Sequence, residues 1–190
     1  LACAGGYPEI ARLLLGADAA VDQAMGDGAT PLFIACQNGQ LECARLLLAA
    51  GAAVEQARDD GVTPLYIACK KGQLDIARLL LEASAAINQA TGRGFTPLFI
   101  ACEKGHLDIA RLLRDAGASV DQAKEDGITP LFIACQEGHV ECAGLLLGAS
   151  AAVNQAMQDG RTPLFMACQQ GRLECVRLLL EAGAAINQAE

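Results

Sequence analysis

The sequence has no Trp, and aromatic residues make up only 4% of its 190 positions. That excludes a thick aromatic core. The apolar share of 53% consists mainly of Ala, Leu, Ile and Cys, which suits thin layers and close helix packing. Positive charge is also scarce: 14 Lys and Arg against 22 Asp and Glu leave a net charge of −8. A basic nucleic-acid footprint is therefore excluded as the default. Long apolar runs are missing. The longest uncharged stretch, Cys142 to Gln158, contains Asn154 and Gln155 and falls short of the ~20 apolar residues of a membrane helix. No signal peptide or basic targeting segment is seen. A starting Met is absent too, so the chain reads as a fragment, a processed product or the ordered part of a longer protein. With 19% charged residues and abundant apolar ones, it has enough to bury and fold.

Cysteine is plentiful. Nine are present, an odd number that leaves at least one unpaired. No Cys-x-x-Cys occurs, so the zinc signal is missing. Cys3, Cys36, Cys69, Cys102, Cys135 and Cys168 share one register, each 33 residues from the next, and Cys43, Cys142 and Cys175 share a second. Equivalent positions in a stacked array lie about 8–10 Å apart, beyond the ~7 Å Cα reach of a disulfide. The expectation is small buried hydrophobes in a reducing, intracellular compartment, most simply the cytoplasm.

The same 33-residue period governs the whole chain. Thr-Pro-Leu starts at Thr30, Thr63, Thr96, Thr129 and Thr162, with no insertion or deletion between copies. Five complete units run 26–58, 59–91, 92–124, 125–157 and 158–190, and residues 1–25 form a sixth that lacks its opening. A fixed period of this size specifies a stacked linear array. Within one unit, Asp27-Gly28 signals a turn. Thr30 is a suitable N-cap, and Pro31 fits the first helical position. The first helix then runs to Gly39. A second starts near Leu41, with Glu42 favouring its N-terminal dipole, and ends at Gly51 as a left-handed cap. Residues 52–61 extend as a finger to the next unit. Glu9/Arg12, Glu42/Arg45, Asp75/Arg78, Asp108/Arg111 and Glu174/Arg177 are spaced for i,i+3 pairs, each contributing a few tenths of a kcal/mol.

These features resemble the ankyrin repeat along the entire chain: the period, Gly-x-Thr-Pro-Leu at Gly28 to Leu32, Gly-x-Leu-Glu at Gly39 to Glu42, and Leu-Leu-Leu-x-Ala-Gly-Ala at Leu46 to Ala52. The resemblance implies one domain over 1–190. Its fold would be an all-α repeat solenoid of helix-turn-helix units with β-hairpin-like fingers and a right-angled, L-shaped cross-section. It also implies a concave groove lined by fingers and first helices. Three departures stand out. The family's His after Thr-Pro-Leu is replaced by Phe33, Tyr66, Phe99, Phe132 and Phe165. That aromatic column is either a ladder half-buried between units or a set of exposed anchors. The helix-ending Gly becomes Asp18, Ser84 and Ser150, which strains a left-handed cap. The last unit, with Leu173, Leu178, Leu179 and Ile186, looks internal rather than like a polar cap. This points to a segment of a longer array or a scaffold assembled from repeats.

Catalytic chemistry is hard to find. His106 and His139 share one column at the start of the second helix, where capping and bridging between units explains them. No nucleophile–base set or phosphate loop recurs. The expectation is a non-enzymatic protein with no cofactor and no metal. The resemblance extends an oxygenase-substrate role to Asn88, Asn154 and Asn187.

Variation between units is more informative. Thr-Pro-Leu never changes, whereas the finger tips read Ala29, Val62, Phe95, Ile128 and Arg161. The first helices end in Gln37-Asn38, Lys70-Lys71, Glu103-Lys104, Gln136-Glu137 and Gln169-Gln170. The finger bases carry Asp27, Arg58 with Asp60, Arg93, Lys124 with Asp126, and Asp159. By resemblance these columns, with Tyr66, line the groove that holds a protein or peptide. Their charges balance on an acidic chain, which favours a partner with an acidic segment beside one hydrophobic residue. The alternatives are an elastic spacer or an assembled scaffold with no natural partner. Neither nucleic acid nor a membrane is expected as a partner, and the chain should be a monomer or associate weakly end to end.

Overall fold

The structure is a computed structural model that describes residues 2–186. It comprises two compact units, Leu1–Gly92 and Arg93–Glu190. The first holds α1 (Ala2–Gly5), α2 (Pro8–Gly16), α3 (Pro31–Gln37), α4 (Leu41–Ala49), α5 (Pro64–Lys71) and α6 (Leu74–Glu82). The second holds α7 (Pro97–Glu103), α8 (Leu107–Asp115), α9 (Pro130–Glu137), α10 (Val140–Gly148), α11 (Pro163–Gln169) and α12 (Leu173–Glu181). Each unit is an all-α stack of the repeat-solenoid class.

The Thr-Pro-Leu motif starts each first helix in the expected way. The Oγ1 atoms of Thr30, Thr63, Thr96, Thr129 and Thr162 accept hydrogen bonds from the backbone N–H three residues on, at 3.1–3.2 Å. Pro supplies the first helical residue without wasting an N–H. A helix of seven or eight residues is marginal alone, so packing must hold it. Within the units, α3 lies against α5, α7 against α9, and α9 against α11, while the second helices form a parallel layer behind. Leu47, Leu80, Leu113, Leu146 and Leu179 of that layer are at most 3% exposed, each contributing roughly 1.5–3 kcal/mol of burial. Small Ala35, Ala68, Ala101, Ala134 and Ala167 on the first helices are fully buried and permit the close approach.

Polar stitches join successive repeats. The carboxylates of Asp22, Glu55 and Asp121 accept from the N–H of Ala53, Ala86 and Ala152, at 2.6–3.0 Å. Asn154 Oδ1 does the same for Ala185 N–H at 2.9 Å. His139 Nε2 meets the Glu103 carbonyl at 3.1 Å, and Arg172 Nε donates to the Gln136 carbonyl at 3.0 Å. His139 is thus a bridge between repeats. Asn187 lies outside the described residues.

Several expectations change. The fingers are tight turns, and no strand forms among the described residues. Arg58 N–H bonds to Val62 O, and Lys124 N–H to Ile128 O, closing each turn, but neighbouring fingers share a single backbone bond, such as Asp59 N–H to Asp27 O at 3.2 Å. One bond per finger is too few for a ladder. The aromatic column is not half-buried: Phe33, Tyr66, Phe99 and Phe132 are at most 6% exposed, while Phe165 is 44% exposed. Four of the five i,i+3 pairs close, at 3.1–4.0 Å, whereas Asp75 and Arg78 are not among the ion pairs of the described residues. All nine cysteines are free thiols, and Cys168 is exposed rather than buried.

Candidate functional site

The finger turns are built by their own aspartates. Asp27, Asp60, Asp126 and Asp159 each accept, through Oδ1, the N–H two residues on, at 3.1–3.2 Å. This Asx turn fixes the tip without any strand. In the middle repeat that position is Arg93, which has no acceptor to offer.

Most charges on these turns are already paired. Arg58 grips Asp60 with Nε and Nη2, at 3.3 and 2.6 Å, and reaches Asp27 at 3.7 Å. Its guanidinium lies 5.5 Å from the centre of the Phe33 ring. The hydrogen bond from Arg58 holds the Asp60 carboxyl below its usual range, against a small burial cost. Lys124 Nζ bonds Asp126 at 2.9 Å and sits over the Phe95 and Phe99 rings, at 4.8 and 5.9 Å. Those two rings are 5.2 Å apart. Arg161 bonds Asp159 at 2.6 Å, and Lys104 bonds Glu103 at 2.7 Å. The Lys124 arrangement combines a cation, two rings and a carboxylate, and it fixes Phe95 as one wall of a half-buried cluster.

The proposed surface residues thus divide into three groups. Lys70, Lys71 and Arg93 are exposed, and no ion pair or hydrogen bond engages them among the described residues. Gln169 and Asp159 are also exposed, while Gln37, Val62, Phe95, Ile128 and Arg161 are half-buried. A second group is spent on the protein itself: Asn38 Nδ2 donates to Ala4 O at 3.2 Å, and Gln136 Nε2 to Glu137 at 2.9 Å. The third group is a correction. Ala29 is 2% and Tyr66 6% exposed; the turn closure buries the former, and the latter lies on α5, which packs against α3 and α6, so neither offers a surface.

Among the described residues, no cluster of three or more His, Cys, Asp or Glu could hold a metal ion. No helix is long and apolar enough to cross a membrane. A search of curated proteins returns no match. A family model of ankyrin repeats, built of three copies, matches residues 1–91, 56–124 and 116–190. With the capped helix pairs, the asparagine and carboxylate stitches and the turn fingers in the same 33-residue register, that match over the whole length means the chain belongs to the ankyrin-repeat family.

Proposed function

We propose that the chain is a non-enzymatic recognition module that binds a protein or peptide on the variable faces of its fingers and first helices. Ankyrin repeats are in general protein–protein interaction modules. The observation that carries the reading is the coincidence of variation with exposure. Apart from half-buried Pro31, the unchanging Thr-Pro-Leu residues are buried, with the five threonines at most 5% exposed. At positions where the repeats differ, Lys70, Lys71 and Arg93 are exposed and Phe95 is half-buried. A rigid frame with ready-made side chains loses little entropy on binding.

The partner's chemistry follows from what is left unpaired. On a chain of net charge −8, the first unit presents Lys70 and Lys71 and the second presents Arg93 beside Phe95. An acidic segment carrying one hydrophobic residue complements either set. A peptide array that varies acidic content and one central hydrophobic position tests this. Saturable binding confined to acidic-hydrophobic peptides, and lost on Arg93→Glu or Phe95→Ala, supports the module. Absence of any binder, or equal binding by basic peptides, contradicts it.

A further inference from the structure

Within each unit the junctions between repeats reuse the same columns. In the first unit a Cβ built on Gly6 or Gly39 would strike the side chain of Gln40 or Gln73 of the next repeat. In the second unit Gly105 and Gly138 are roofed in the same way by His139 and Arg172. Gly171, the next glycine of that column, has nothing within 4 Å. The finger glycines agree. Gly28 and Gly61 are met by Asp59 and Gly92 of the following finger, and Gly94 and Gly127 by Lys124 and Met157, whereas Gly160 is open. Phe99 and Phe132 are at most 2% exposed, and Phe165 of the same column is 44% exposed. The outer face of α11 and α12 is therefore a socket of the kind that receives a repeat elsewhere in the chain.

The outer face of the first unit carries the counterpart. Tyr7 stands in the column of Gln40, Gln73, His139 and Arg172, and Met25 in that of Lys124 and Met157. Both are exposed. Ile10 and Leu14 of α2 are 48% and 49% exposed, while Ile76 and Leu80, their column mates on α6, are at most 2% exposed. The polar groups match as well. Between fingers the later one donates and the earlier accepts: Asp59 N–H to Asp27 O and Gly92 N–H to Asp60 O at 3.2 Å, and Gln158 N–H to Asp126 O at 3.0 Å. Carried on, the donor column reaches the Gly26 N–H and the acceptor column the Asp159 carbonyl. Neither group is bonded among the described residues.

We infer that a second copy of this chain docks head to tail on the first. The face bearing Tyr7, Ile10, Leu14 and Met25 in one copy seats on the face bearing Gly160, Phe165, Gly171, Leu173 and Leu180 in the other, by the step that already relates successive repeats. Tyr7 takes over Gly171 the place that Arg172 holds over Gly138, and the Gly26 N–H meets the Asp159 carbonyl. The two faces are different, so the contact is heterologous, and each copy in a pair keeps one face for a further copy. The joint is weaker than an internal junction, because α1 has four residues where the other first helices have seven or eight. Apolar burial drives it, and the net charge of −8 on each copy opposes it. Added salt screens that repulsion and strengthens the joint, the reverse of its effect on an acidic peptide bound at the fingers.

Sedimentation velocity of the whole chain, carried up to the millimolar range, is the test. The expected result is a sedimentation coefficient that climbs with concentration through the dimer to larger species, and climbs further in added salt. Ile10→Gln spoils one face and Leu173→Gln the other. Each should keep its helical circular dichroism and lose association at the concentration where the wild type assembles, a fall of about tenfold or more in affinity for one apolar side chain no longer buried. An equimolar mixture of the two variants retains one intact pair of faces, and it should form dimers and nothing larger. A wild type that stays monomeric or stops at a dimer overturns the inference. So does a single variant that still associates like the wild type, or a mixture of two folded variants that forms no dimer.

Discussion

Replacing Ser150 by Gly should stabilise the second unit. Asp18, Ser84 and Ser150 sit at φ 58°, 66° and 63°, in the left-handed region, at the position where Gly51, Gly117 and Gly183 adopt 83–89°. A Cβ in that region costs about 1–2 kcal/mol, and glycine returns roughly 0.5–1 kcal/mol as extra freedom in the unfolded chain. The net gain is about 0.5–1 kcal/mol. Sterics do not confuse the comparison, because a Cβ built on Gly51, Gly117 or Gly183 meets nothing within 4 Å. Gly117→Ser is therefore the mirror experiment and should cost the same amount. For a chain of this size 1 kcal/mol moves Tm by about 2–4 °C, and urea titration gives the free energy directly. Ser84→Gly and Ser150→Gly lie in different units and should add. A neutral or destabilising Ser150→Gly, with a neutral Gly117→Ser, would refute the argument from backbone strain.

Further expectations follow from particular residues. Gly144 interrupts α10, and a Cβ there meets only Leu178 Cδ2, at 3.9 Å; Gly144→Ala should recover about 1 kcal/mol. In the native chain amides 139–153 should exchange about fivefold faster than 40–54, and equal rates would count against this. Phe165, Leu173, Leu180 and Ile186 are 43–78% exposed. The chain should associate at high concentration in sedimentation velocity, and Leu173→Gln should abolish that without loss of helix. The Arg58 hydrogen bond depresses the folded-state pKa of Asp60, so its stabilisation is complete above the unfolded value near ~3.9 and disappears as pH falls through the folded one. Asp60→Asn should lower the urea midpoint at neutral pH, and the difference should shrink as the pH falls below ~3.9.

The frame was legible in the sequence because its chemistry is local. A Thr three residues before the N–H it caps, a Pro at the first helical position and a Gly with positive φ declare themselves within one repeat. Bonds between repeats, such as Arg172 Nε to the Gln136 carbonyl, do not declare themselves in this way. Asp22, Glu55, Asp121 and Asn154 share one 33-residue register, but only the bond to the following repeat's N–H explains them. The burial of Tyr66 and Ala29 depended on helix packing and on turn closure. Pairing was equally hidden: sequence alone balances Lys124 against Asp126, whereas the geometry also places that ammonium over Phe95 and Phe99 and leaves Lys70, Lys71 and Arg93 unpaired among the described residues.

Association kinetics with an acidic peptide bearing one central hydrophobic residue test the central claim most directly. The rate should fall steeply with added salt, because electrostatics sets the encounter more than the final affinity. Arg93→Glu should slow association at low salt, and Phe95→Ala should speed dissociation with little effect on the on-rate. Charge reversal of the second-helix arginines Arg45, Arg78 and Arg111 should leave binding intact. If the finger variants change nothing while reversal at Arg45, Arg78 and Arg111 abolishes binding, the variable surface is not where this protein meets its partner.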